Sequence, residues 1–154
     1  MNAVIRPLTR NDLGRVGHLV DANAMFPSDM LGDMTAPFFS EQSGNQRWLV
    51  LDQGQVDGVA YYVPEALTDG TWNLLLIAVD PQRHGRGIGT ALMRFVERQL
   101  ADEKQRILLV ETSSKPEFER TRAFYTMLGY DREARIRDFY AAGDDKIVFR
   151  KALI

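Results

Sequence analysis

The chain has 154 residues, 45% of them hydrophobic, which is enough for one domain with a single buried core. A formal net charge of −2 and a sequence pI near 5.7 supply no general attraction to nucleic acid or to an anionic membrane, so any polyanion must be gripped locally. Cysteine is absent, which excludes disulfides, thiolate metal sites and a cysteine nucleophile and is compatible with a reducing compartment.

The opening MNAVIRPLTRND lacks the long apolar core of a signal peptide, and no later run approaches the roughly 18 residues of a membrane span, so a soluble cytoplasmic protein is expected. Residues 4–8 (VIRPL) read as a first strand, and Asn11 or Asp12 as the N-cap of a helix carrying Val16, Leu19 and Val20. From Phe26 to Ser43 the composition is mixed, with Pro27 and Pro37, and predicts a short helix or a lid-like loop. Strands follow at 47–52 and 56–63 (VDGVAYYV), joined as a hairpin through Gly54, with a turn from Pro64 to Gly70. Trp72–Val79 alternates too little for a half-solvated strand and predicts a central one covered on both faces, stopped by Asp80-Pro81.

Beyond it, Ile88, Ala91, Leu92, Phe95, Val96 and Leu100 fall at helical spacing, with Arg94, Glu97 and Arg98 facing away. Ile107–Val110 is a second short buried strand, so the segment predicts a βαβ unit with parallel strands and a right-handed crossover. Ser114-Lys115-Pro116-Glu117 matches a capping box opening a helix over 116–128, which Gly129 ends. Strands at 132–140 and 145–151 around AAGDD form a terminal hairpin. No repeat, low-complexity tract or linker interrupts this order.

The stretch DPQRHGRGIGTAL, residues 80–92, places three glycines in five positions between the central strand and the helix. Such a turn gathers free N–H groups at the positive end of a helix dipole and suits a phosphate or pyrophosphate. Two nucleotide fingerprints fail by register. G-x-G-x-x-G needs glycine where Thr90 or Leu92 stands, and G-x-x-x-x-G-K-[ST] has no match. His18 and His84 have no G-x-S-x-G context and make no metal spacing, so neither serine-histidine chemistry nor a metal site is expected. Arg83 and Arg86 read as a phosphate mouth, and Arg94 and Arg98 as a solvated helix face, not as nucleic-acid contacts.

V-D-P-Q-R-H-G-R-G-I-G-T-A-L resembles the acetyl-CoA pyrophosphate loop of the GNAT superfamily of N-acetyltransferases. In that register His84 stands where the family usually has Gln or Arg, and Gly87 and Gly89 are the motif glycines. A literal Gln82-x-x-Gly85-x-Gly87 match would shift the helix start by two residues and is not preferred. R-A-F-Y-T-M-L-G-Y at 122–130 is similar to the superfamily's F-Y-x-x-L-G-[FY] helix end; the asparagine that often opens this helix is absent, with Phe118 at its place.

The resemblance covers most of the chain and implies one GNAT-like domain over residues 1–154. Its α/β (α+β) fold is a central mixed sheet with splayed parallel strands flanked by helices. Acetyl-CoA is the implied cosubstrate. Ile77, Ala78 and Val79 would pair with its pantetheine arm, and His84, Gly85, Arg86, Gly87, Ile88, Gly89 and Thr90 would surround the pyrophosphate, with Phe124 also against the cofactor. Tyr125 matches the tyrosine that donates a proton to the departing thiolate. No Glu lies in Trp72–Val79, where some members carry a base. Glu111, at the end of the second parallel strand, is therefore the candidate base or ammonium anchor, with Asn73 orienting a water and Asp138 and Tyr140 on the acceptor side. The expected reaction is direct acetyl transfer to a primary amine, of a small metabolite or amino acid in preference to a protein. A homodimer is a further expectation. The alternatives are a protein N-terminal or lysine acetyltransferase, a CoA-binding module without turnover, and a nucleotide-binding protein using the same loop.

Overall fold

The computed structural model of the chain describes residues 2–40 and 45–154. Its strands are β1 (Val4–Pro7), β2 (Arg47–Asp52), β3 (Val56–Pro64), β4 (Thr71–Val79), β5 (Ile107–Ser113), β6 (Asp131–Ala141) and β7 (Asp144–Ala152). The helices are α1 (Leu13–Ala22), α2 (Leu31–Ser40), α3 (Ile88–Asp102) and α4 (Glu119–Met127). The seven strands form one mixed sheet in the order β1-β2-β3-β4-β5-β7-β6, with β4 and β5 parallel. The pairs β1–β2, β2–β3, β5–β7 and β6–β7 are antiparallel. The chain divides into two compact units, one running to Pro64 and adding Leu75–Val96, the other made of Glu65–Leu74 and Glu97–Ile154.

In the first unit the helical spacing of Val16, Leu19 and Val20 puts one face of α1 into a core with Val50, Val59, Leu76 and Ala78. Trp48 and Tyr61, opposite each other on β2 and β3, stack with centroids 4.2 Å apart. Asp12 stands at the N-cap position of α1, as expected, but its side chain makes no capping bond to that helix. Thr9 opens a 3-10 turn over Arg10–Asp12, and the Asp12 carboxylate caps nothing ahead of it. Instead it reaches back to accept from the Thr9 amide at 2.8 Å and from Arg6 at 2.8 Å. Of the stretch 26–43, the structure makes a 3-10 turn over Ser28–Met30 followed by α2, with Pro37 inside the helix, while residues 41–43 lie outside the described residues.

In the second unit Leu108, Val110, Ile147 and Phe149 are buried on the paired strands β5 and β7. The expected capping box at Ser114 does not form, because the Ser114 hydroxyl accepts from the Asp145 amide at 2.8 Å. The helix instead starts through a 3-10 turn, Pro116–Phe118. Gly129 ends it as expected, at φ +94°, with the Tyr130 amide donating back to the Tyr125 carbonyl at 3.1 Å.

Strand β4 departs from the expectation of cover on both faces. Trp72, Asn73 and Leu74 are buried, but Leu75 is 46% exposed and burial then alternates to Val79. The change comes where the parallel ladder stops: pairing runs from Thr71↔Ile107 to Leu74↔Val110, while β4 continues to Val79 and β5 to Ser113.

Candidate active site

The first unit holds the glycine turn. After β4 a 3-10 turn, Pro81–Arg83, is capped by Asp80, whose carboxylate accepts from the Gln82 amide at 2.9 Å. Gly85 and Gly87 sit at φ +80° and +78°, the left-handed region that a side chain disfavours. A Cβ at either would meet nothing within 4 Å, so these glycines serve backbone shape and leave the space above the turn open. The Gly87 carbonyl accepts the first helical bond, from Ala91 at 2.9 Å, and α3 begins at Ile88, as the register with Gly87 and Gly89 requires. The amides of Ile88, Gly89 and Thr90 are therefore first-turn donors with no intrahelical partner. His84 and Arg86 are exposed beside them.

Charges buried below the turn hold it in place. Arg15 on α1 donates to the Val56 carbonyl at 2.7 Å, to Asp57 at 3.1 Å and to Asp80 at 2.7 Å. Hydrogen bonding from Arg15 is the main reason the Asp80 carboxyl lies below its ordinary pKa. Asp57, 1% exposed, also accepts from Gln53 and Gln55. The end of β4 is pinned on its other side by Asn23, which donates to the Val79 carbonyl at 2.9 Å. Gly58 lets α3 lie close on β3, since a Cβ there would fall 2.8 Å from both Ile88 and Leu92. A cavity of about 310 Å³ beside the turn is lined by Gln55, Asp57, Arg83 and Arg86 among others. Ile77, Ala78 and Val79 occupy the last part of β4 in the same unit, so the structure brings all the expected pyrophosphate-side residues except Phe124 into one body.

The second unit holds Asn73, Glu111, Phe124 and Tyr125. Asn73, 2% exposed, donates through Nδ2 to Glu111 at 2.7 Å and to Glu65 at 2.9 Å. Glu111, the first β5 residue past the parallel ladder, also pairs with Lys146 at 3.0 Å. Lys146 in turn lies 4.1 Å from the centroid of the Phe139 ring. Burial, and then the charges of Glu111 and Asp144, push the neighbouring Tyr140 phenol above its ordinary pKa. Tyr125 is 2% exposed and packs among Phe124, Phe149 and Tyr130, with centroids 5.4, 5.6 and 6.0 Å away. Burial raises its phenol well above the usual value, so its proton is retained at any physiological pH.

Sequence reasoning missed Arg15, Asp57, Glu65 and Lys146. Asp57 carried a signal, a lone carboxylate in the apolar run VDGVAYYV. Glu65 and Lys146 sit at strand ends, where a charge ordinarily reads as solvated. Among the described residues no group of His, Cys, Asp and Glu is placed to hold a metal, and no helix is long and apolar enough to cross a membrane.

The family described as "Acetyltransferase (GNAT) domain" matches residues 43–132. No curated protein matches the chain by sequence. Among solved structures, a GNAT-family protein from Desulfovibrio desulfuricans is 28% identical, with 99% of this chain and 100% of that one covered and a TM-score of 0.89. The Escherichia coli ribosomal-protein-S18-alanine N-acetyltransferase is 22% identical over 99% of this chain and 94% of its own, at a TM-score of 0.78. An aminoglycoside 6′-N-acetyltransferase complexed with coenzyme A is 17% identical over 98% and 97%, at 0.76. A domain match over more than half of the chain, on a fold shared almost end to end with these proteins, makes this chain a member of the GNAT family and an N-acetyltransferase with acetyl-CoA as its cosubstrate.

Proposed function

We propose that this acetyltransferase acts as one catalytic domain on the primary amine of a small molecule, by direct attack and without a covalent enzyme intermediate. The observation that carries the reading is the early end of the β4–β5 ladder at Leu74↔Val110. It leaves Ile77, Ala78 and Val79 on a stretch of β4 whose main chain is not taken by β5, and it makes Glu111 the first side chain past the break. When bound, acetyl-CoA supplies a thioester whose carbonyl carbon an amine can attack.

The chain's own groups would act as follows. First-turn amides of α3 grip the pyrophosphate, and no neighbouring atom lies within 4 Å of a Cβ at Gly85 or Gly87 to block its approach. Main-chain N–H groups of β4 near Val79 face the developing oxyanion. Tyr125 keeps its proton at the phenol oxygen for release to the departing sulfur. An alkyl amine is about one part in a thousand neutral at pH 7, so its ammonium must be anchored and deprotonated. Glu111, oriented by Lys146 and Asn73, takes that place. The cysteine-free composition suits the cytoplasm, where we place the protein.

Thiol release, measured over a panel of small amines and an N-terminal peptide with acetyl-CoA as donor, tests this. Turnover of small amines supports it. Turnover of the peptide alone would make the acceptor a protein, and CoA binding with no release from any amine would make the chain a binding module.

A further inference from the structure

We infer that Glu65, Asn73 and Glu111 form an ammonium subsite that selects cationic amines lacking a carboxylate. This rests on the transferase reading above and narrows its acceptor, excluding the α-amino acids.

The argument is a count of donors and charges within the second unit. Glu111 pairs with one ammonium, Lys146, and Glu65 pairs with no cation among the described residues, so the two carboxylates carry an uncompensated negative charge. Both N–H bonds of the Asn73 amide are spent on those carboxylates, which fixes which end of the amide is which. Its Oδ1 is buried and has no hydrogen-bond partner among the described residues. A buried acceptor without a donor is costly, and this one adjoins two carboxylates that are themselves short of cations. The cluster thus holds two carboxylates with one cation and, on the amide that joins them, a buried oxygen without a donor, and an ammonium supplies the missing charge and N–H bonds to the carboxylates.

The same surroundings disfavour a carboxylate on the ligand. Asp144 adds a further negative charge near Tyr140, and Lys146 is already engaged by Glu111 and by the face of Phe139. An α-carboxylate brought in with the amine would meet Glu65 and Glu111, and among the described residues the one cation paired with them, Lys146, is already engaged. Glu65 has no role in the reading derived from sequence. It becomes a specificity-determining residue, contacting the ammonium while Glu111 serves the proton transfer.

The test is calorimetric titration of the full chain, with CoA present, by 1,5-diaminopentane and by lysine, which share a carbon chain and two amines and differ by the carboxylate. The diamine is expected to bind at least about tenfold more tightly, and Glu65→Gln to weaken it about tenfold while leaving lysine little changed. Lys146→Gln, which removes the competing cation, is expected to tighten the diamine, so a second variant carries the test if the first folds poorly. No heat with the diamine, equal or tighter binding of lysine, or indifference to both substitutions overturns the proposal. Thiol release on the same pair separates the two readings. Tight diamine binding without release counts against the transferase assignment alone, whereas release with lysine preferred counts against the subsite alone.

Discussion

The glycine turn of the first unit and the carboxylate cluster of the second solve two recognition problems in opposite ways. At the turn the groups proposed to face the ligand are main-chain amides, and side chains only shape the path: Gly85 and Gly87 permit the left-handed bends, while Arg15, Asp57 and Asp80 hold the strand end from below. At the cluster the main chain supplies only positions, and the proposed chemistry lies in side chains from three strands and the end of a fourth: Asn73, Glu111, Lys146 and Glu65. A site made of backbone tolerates side-chain change and fails when the backbone cannot bend. One made of side chains fails when a single atom is removed.

The largest expected effect is on the side-chain-built half. Tyr125→Phe keeps the packing against Phe149 and Tyr130 but removes the phenolic proton, and kcat should fall roughly 10- to 1000-fold with acetyl-CoA affinity unchanged. Steady-state kinetics beside direct binding would check it, and an unchanged kcat would break the contrast. Arg15→Met should act on stability, because it takes the nearer cation from the buried Asp57 and leaves only Arg83 at 4.0 Å; a fall in Tm of about 5 °C is expected by thermal melting. Gly58→Ala places a methyl 2.8 Å from Ile88 and Leu92 and should cost about 1–3 kcal/mol in a denaturant titration.

The smallest effect is pH-dependent. Hydrogen bonding from Arg6 holds the Asp12 carboxyl at about 2, below its ordinary 3.8. A depressed folded value means stability that is present above the ordinary value and lost as pH falls through about 2. Asp12→Asn should therefore be less stable at pH 7 by about 1–2 kcal/mol, allowing for solvent screening at Arg6, and the two proteins should converge in urea titrations as pH drops below the carboxylate range.

The same contrast explains what could be read from the chain beforehand. The turn was legible because its requirements are local. Glycines at fixed spacing, a strand before and an amphipathic helix after are all written in consecutive residues 72–100, and helix α3 begins where that pattern puts it. Tyr125 could be proposed for a like reason, since its motif is contiguous. The Asn73–Glu111 contact joins residues that the parallel register brings near, Asn73 lying opposite Leu109, so both could be named without knowing that they touch. Glu65 and Lys146 were not legible. Nothing local marks a carboxylate after Pro64 or a lysine at the start of β7 as facing inward, and only the register Ser113↔Lys146 and the turn after β3 bring them to Glu111 and Asn73. The two missing side-chain caps, at Asp12 and Ser114, have one cause. Each side chain found a more demanding partner than its own helix, Arg6 and the Thr9 amide in one case and the Asp145 amide in the other.

The central claim is that main-chain amides at the start of α3 hold the cosubstrate, and titration of acetyl-CoA into wild type, His84→Ala, Arg86→Ala and Gly87→Val tests it most directly. The account predicts saturable binding by wild type, losses of only a few-fold at His84 and Arg86, and a loss of about 100-fold at Gly87, where a branched side chain at φ +78° would have to unmake the turn. Binding by Gly87→Val as tight as by wild type, or a wild type that binds ATP or NAD but not acetyl-CoA, would contradict it.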